Sequence, residues 1–191
     1  MVETLAKHIE RTIDFQVDPN LLAPYLSALP LGKKEHLFRQ GELCTHLYFV
    51  VEGCLNMYFI NNKGQNQTVQ FALEHWWLTD FMAFRSSSRT EFNLQAVERS
   101  KVLGIDLAGE KDLLERFPEL ERYFRSIHER AYGASLVRMK HIYGLSKEEL
   151  YHDFAQKLPD FVQRVPQYLL ASFLGLSPEY LSELRGRELH H

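Results

Sequence analysis

Cysteine is scarce in this 191-residue chain: there are two, Cys44 and Cys54. Two thiols cannot supply the four thiolates of a usual iron–sulfur cluster. In a chain without a secretory leader they read as reduced core residues rather than a disulfide. No apolar run is long enough to cross a bilayer. Met1-Val2-Glu3-Thr4-Leu5 lacks the basic-then-apolar pattern of a signal peptide, so the expected location is cytoplasmic, with no membrane partner. Also missing are a Gly-x-Ser-x-Gly elbow, a phosphate-cradling glycine loop and a paired-cysteine metal motif. Gly41, His46 and Glu52 come near the spacing of a cupin metal site, but Tyr48 stands where its second histidine belongs and the later half is missing. His36, His46 and His75 therefore read as surface or structural residues, and nothing singles out His128 or His141. Neither an enzyme nor a bound metal or cofactor is expected. Positive charge is not in excess: 22 Lys and Arg face 25 Asp and Glu, a net −3. A dedicated nucleic-acid binder usually carries a basic patch, although local charge matters more than the total.

What the chain does have is apolar material for a core, with 45% hydrophobic and 25% charged residues. Those proportions exclude general disorder and leave room for one large or two small domains. From about 3 to 29, Leu5, Ile9, Ile13, Leu21, Leu22, Tyr25, Leu26 and Leu29 recur at helical spacing, broken near Asp18-Pro19. From about 34 to 106 the texture changes to strand-like runs at 47–51, 55–60, 68–73, 76–81, 94–97 and 102–105. Asn61-Asn62-Lys63-Gly64 is a hairpin turn, since asparagine and glycine tolerate positive φ. Short strands at this spacing predict a sandwich or jelly roll. A short helix follows at 111–117.

Leu120, Phe124, Ile127, Ala131 and Ala134 then alternate in steps of four and three. That is the seam of about two coiled-coil heptads. A lone helix covering a β-roll would show a similar stripe; the small residues at 131, 133 and 134 favour a second helix and hence a dimer. Ser146-Lys147-Glu148-Glu149 is a capping box opening another helix, which stops near Pro159. In the last segment two short apolar-striped patterns flank Gly175. Pro166 and Pro178 suit first helical positions, and Ser177 can cap the second helix. This is the pattern of a helix-turn-helix. Glu179, Tyr180, Ser182 and Glu183 would face outward on its second helix, with Arg185 and Arg187 beyond and Gln167 and Ser177 at the helix starts. Trp76-Trp77 and the many phenylalanines read as core and pocket lining.

Three stretches, Phe38 to Gly53, Phe117-Pro118-Glu119-Leu120 and Val165 to Arg185, together with the order of elements, resemble the cyclic-AMP receptor protein/fumarate-nitrate regulator family of bacterial transcription factors. The similarity covers nearly the whole chain and looks closest to the branch found in Bacteroidetes-type bacteria. It implies an α+β fold: N-terminal helices and a cyclic-nucleotide-binding-like β-roll over 1–117, a dimerisation helix over 118–145 and a helix-turn-helix domain over 146–191. It also implies a homodimer on a palindromic double-stranded operator, contact with RNA polymerase, and control by a small effector. DNA contacts would fall to Gln167, Ser177, Glu179, Tyr180, Ser182, Glu183, Arg185 and Arg187. The dimer interface would fall to Leu120, Phe124, Ile127, Ala131 and Ala134. An effector would meet Thr79, Asp80 and Thr90. Cyclic AMP itself is not expected there. No arginine occupies the phosphate position, Glu91 would repel a phosphate, and Arg89 is one residue early, which in a strand turns it to the other face. From Asp160 onward four acids face three arginines, a weak anchor for a phosphate backbone. A second reading is therefore a ligand-binding or protein-interaction module whose helix-turn-helix has lost DNA. A wing hairpin fits only loosely between Leu158 and Pro166.

Overall fold

The computed structural model describes residues 1–188, so the end of the 146–191 segment lies outside the described residues. The chain forms two compact units. One comprises Met1–Phe59 and Gln70–Arg130; the other comprises Ile60–Val69 and the chain from Ala131 onward.

The first unit opens with α1 (Val2–Ile13), which buries Leu5, Ala6, Ile9 and Ile13. Asp18 caps the short α2 (Pro19–Leu22) through the Asn20 amide. Ala23–Tyr25 forms one 3-10 turn, and beyond it the chain is not helical as the spacing predicts. Ser27–Leu31 is β1, because it pairs along its length with Ser100–Gly104 of β8. After β2 (His36–Phe38) come β3 (His46–Glu52), β4 (Leu55–Ile60), β5 (Asn66–Ala72), β6 (Trp77–Leu78), β7 (Asn93–Ala96) and β8 (Ser100–Asp106). They form two four-stranded sheets, ordered β1-β8-β3-β6 and β2-β7-β4-β5. This is the jelly-roll layout predicted from the strand spacing. Gly53 turns β3 into β4 at φ +102°, and a Cβ there would meet Ser100 at 2.2 Å, so the turn requires glycine. The predicted strand at 76–81 is cut short. Asp80 caps a helix, α3 (Phe81–Ser86), through the Ala83 amide. Trp77 is buried and Trp76 is half exposed, so only one of the pair is core.

Asp106 caps α4 (Leu107–Arg116), which begins four residues before the predicted start at 111. The long α5 (Leu120–Gly144) follows. Its first turns close the roll: Leu120, Tyr123 and Phe124 are buried. The Tyr123 hydroxyl accepts from Trp77 Nε1 at 2.8 Å and shares a hydrogen bond with His8 Nδ1 at 2.7 Å. The His8 ring lies nearly parallel to that of His75, at 5.6 Å. Cys44 and Cys54 are buried thiols.

In the second unit, the Asn61 side chain accepts from the Lys63 and Gln65 amides and Gly64 takes φ +74°, closing the predicted hairpin. Ser146 and Glu149 form the predicted capping box of α6 (Lys147–Lys157). Then α7 (Pro159–Arg164) fills the interval considered for a wing hairpin, and α8 (Gln167–Leu174) and α9 (Pro178–Glu188) complete the helical cluster. No helix among the described residues is long and apolar enough to cross a membrane.

Burial, with the charges of His75, Arg130 and Arg11 adding to it, lowers the pKa of His8 from 6.5 to about 4. The fold thus holds His8 neutral, and only the unfolded chain takes up the proton near 6.5. Its contribution to stability is complete above pH 6.5 and drains away as pH falls toward 4. Replacing His8→Gln is expected to flatten the acid limb of a stability–pH curve in that window, measured by denaturant titration at stepped pH. An unchanged slope would remove His8 from the account.

Candidate nucleic-acid interface and effector region

Helices α8 and α9 meet through apolar faces. Leu169, Leu170, Ala171 and Leu174 of α8 and Leu181 and Leu184 of α9 are buried, with Leu176 of the turn between them. Gly175 sits at φ +69°, ending α8 in the left-handed conformation, and the Leu176 amide bonds back to the Ala171 carbonyl at 2.9 Å. The Ser177 hydroxyl accepts from the Tyr180 amide at 3.1 Å and caps α9. The Gln167 amide reaches the Pro178 carbonyl at 3.4 Å, tying the start of α8 to the start of α9. These two side chains, expected at DNA, thus hold the helix pair together. Glu179, Ser182 and Glu183 stand exposed on the outer face, while Tyr180 is partly buried. The Arg187 guanidinium lies 2.6 Å from Glu183 and 3.7 Å from Glu148, so its charge is shared with two carboxylates. The bonded carboxylate of Glu183 raises the Arg187 pKa further. Arg185 is partly exposed.

Of the three residues expected to line an effector site, Asp80 and Thr90 are bonded to each other and Thr79 is engaged with β3 and Cys44. Thr79 is buried; its hydroxyl donates to the His46 carbonyl at 2.8 Å and lies 3.1 Å from Cys44 Sγ. Burial comes first in raising the Cys44 thiol pKa. Asp80 spends one oxygen on the cap of α3 and the other on the Thr90 hydroxyl at 2.8 Å. Thr90 is buried and also accepts from the Phe92 amide at 3.1 Å. Nearby, Arg85 forms a two-pronged pair with the buried Glu110, and Arg89 donates to the Gly41 carbonyl at 2.6 Å. The two arginines flanking this segment are thus both committed to protein acceptors. Glu91 is exposed, as its repulsive role would require.

The residues expected at a dimer seam divide. Leu120 and Phe124 are 0% and 5% exposed inside one chain, Phe124 packing on Trp77 at 5.5 Å, so they have no surface to offer a partner. This corrects that part of the expected interface: an amphipathic stripe docked on its own roll has the same spacing as a coiled-coil seam. Ile127 and Ala131 are partly exposed and Ala134 is exposed. Further along α5, Tyr132, Leu136, Met139 and Tyr143 are all exposed. They follow one another at steps of four, three and four, on a stripe one residue away from the seam read in the sequence, whose continuation falls on Arg138 and His141. Among the described residues no group of three or more His, Cys, Asp or Glu could hold a metal. His36 instead bonds Tyr58 at 3.0 Å and His46 accepts from Thr45 at 2.8 Å.

A β-roll with its closing helix, followed by a capped helix pair around a left-handed glycine, defines a roll-plus-helix-turn-helix protein. Residues 29–117 match the family model described as "Cyclic nucleotide-binding domain". The chain is 26% identical over 171 residues to the "Anaerobic regulatory protein" of Aggregatibacter actinomycetemcomitans, an alignment covering 83% of this chain and 65% of that protein. It thus spans somewhat under two thirds of the length of that curated relative. FixK2 from Bradyrhizobium japonicum superposes with a TM-score of 0.70 at 15% identity, covering 85% of this chain and 83% of that one. The c-di-GMP responsive regulator CLP of Xanthomonas campestris superposes with a TM-score of 0.71 at 16% identity, covering 97% and 92%. These likenesses show a cyclic nucleotide-binding domain over residues 29–117 and, for the chain as a whole, the fold shared with those two proteins.

Proposed function

We propose that this protein is a DNA-binding transcriptional regulator, working as a homodimer on a palindromic operator and answering to a small effector other than cyclic AMP, or to none. The observation that carries this reading is the helix pair. The inner faces of α8 and α9 are buried while Glu179, Ser182 and Glu183 remain open to a partner. In this family of architectures the second helix enters the major groove, and two copies meet successive grooves about one helical turn apart. Contact with RNA polymerase belongs to the same reading.

Base reading falls to Glu179, Ser182, Glu183 and Arg185, since glutamate accepts from cytosine and arginine donates to guanine. Arg187 is a weaker reader because Glu183 and Glu148 already hold it. With few basic side chains on this face, the salt dependence of binding is shallow. We assign the contact with a second copy to Tyr132, Leu136, Met139 and Tyr143, a stripe one residue away from the register of Ala131 and Ala134. Four large apolar side chains exposed along one face of a helix leave a stripe that water disfavours, and an identical stripe covers it symmetrically. Thr79, Asp80 and Thr90 are spent on internal bonds, which supports a roll that does not take cyclic AMP.

Selection of bound fragments from genomic DNA at two salt concentrations is expected to return a palindromic motif. Arg185→Ala should then weaken binding to it about tenfold or more, the scale of one lost arginine–guanine contact. Motif-free binding that vanishes with salt would instead favour an interaction module. Leu136→Glu is expected to give a folded monomer in sedimentation equilibrium, whereas Leu120→Glu should unfold the roll; a dimeric Leu136 variant would sink the seam. Calorimetry with cyclic AMP at millimolar concentration should give no binding heat, and saturable heat would overturn the reading of Thr79, Asp80 and Thr90.

A further inference from the structure

Strand β5 lies at the edge of its sheet, so its outward N–H and C=O groups have no neighbouring strand to bond. Ser172, in the last turn of α8, takes the place of one. Its hydroxyl accepts from the Thr68 amide at 2.8 Å and donates to the Asn66 carbonyl at 2.8 Å. It thus bridges residues i and i+2 of the strand, as a paired peptide would. The Gln67 side-chain amide bonds the Ser172 carbonyl. Arg138, from α5, completes the fastening. It donates to the Val69 carbonyl of β5 and, at 2.9 Å, to the Phe173 carbonyl of α8, with its guanidinium 3.9 Å above the Phe173 ring.

The last carbonyls of a helix have no partner within it, and cations are favoured there. In α8 the Ser172 and Phe173 carbonyls are therefore met from the hairpin and from α5. Those residues directly precede the Gly175 turn, whose own amide bonds back to Ser172, so α9 takes its bearing from the segment so fastened. Glu179, Ser182 and Glu183 remain exposed with the fastening in place, which makes the fastened arrangement one in which the outer face of α9 is open.

We propose that Ser172 and Arg138 are positioning residues for DNA reading, clamping the first helix of the pair to the edge of β5. This rests on the DNA-binding reading above and adds to it the residues that set the attitude of α9.

The test compares the full-length protein with Ser172→Ala, Ser172→Thr and Arg138→Lys. Three quantities are measured: affinity for the selected operator, affinity for random DNA, and hydrogen exchange of the Thr68 amide. Ser172→Ala is expected to expose the Thr68 amide to exchange and to weaken operator binding about tenfold, the scale of one or two lost hydrogen bonds. Random-DNA affinity and the thermal midpoint of the roll should not move. Ser172→Thr, which keeps the hydroxyl, should restore both readouts, and Arg138→Lys, which keeps the charge but not the fork, should behave like the alanine variant. Operator affinity that is unchanged or higher in Ser172→Ala, with Thr68 freed, would overturn the positioning role. Failure of the wild type to select any fragment would sink the DNA reading itself. Even then exchange decides the clamp: a Thr68 amide equally protected in wild type and Ser172→Ala overturns it.

Discussion

Tyr123 carries one hydroxyl for two neighbours that need it. Trp77 offers a buried indole N–H and His8 a ring nitrogen of an imidazole that the fold keeps neutral, and the tyrosine oxygen bonds both. Through that oxygen the N-terminal helix, the strand carrying Trp77 and the start of the long helix are held in one place. Burial of the phenol pushes its pKa up, so it stays protonated and able to donate. A buried polar group left without a partner costs about 1–3 kcal/mol. The three side chains therefore depend on one another, and their bonds fix the rotation of α5 that also buries Leu120 and Phe124.

The same helix then changes role along its length. Its first turns are spent on the roll, and its later turns leave Tyr132, Leu136, Met139 and Tyr143 exposed. One continuous helix thus carries two apolar stripes, the first closing a core and the second open. The effector region follows a comparable economy. In the roll, Asp80 serves as a helix cap and as an acceptor for Thr90, and Thr79 holds a carbonyl of β3. Residues with the right chemistry for a ligand are consumed by the turn that brings them together.

Much of this was legible in the residues. Alternation and the Asn61 to Gly64 turn announced the strands and the hairpin. The Ser146–Glu149 box, Gly175, Ser177 and the two prolines announced the C-terminal helices, because each acts within a few residues of itself. Other features were not legible. Ser27–Leu31 keeps an apolar spacing compatible with a helix and becomes a strand only by pairing with β8, some 70 residues away. The strand expected through Phe81 gives way to a helix because Asp80 is free to cap it. Leu120 and Phe124 satisfy the arithmetic of a dimer seam and of a docked helix equally well, and only burial separates the two.

Sequence by itself determined the order and type of most elements and the helix-turn-helix. These follow from local backbone preferences and side-chain chemistry, which act over a turn or two. Tertiary structure alone decided which stripe of α5 is spent on the core, that Asp80 and Thr90 satisfy each other, and that Thr79 bonds the His46 carbonyl. It alone decided that Ser172 and Arg138 complete the edge of β5. Each of these is a pairing between groups far apart in the chain, and which partner a polar or apolar side chain finds is set by the fold that brings them within reach.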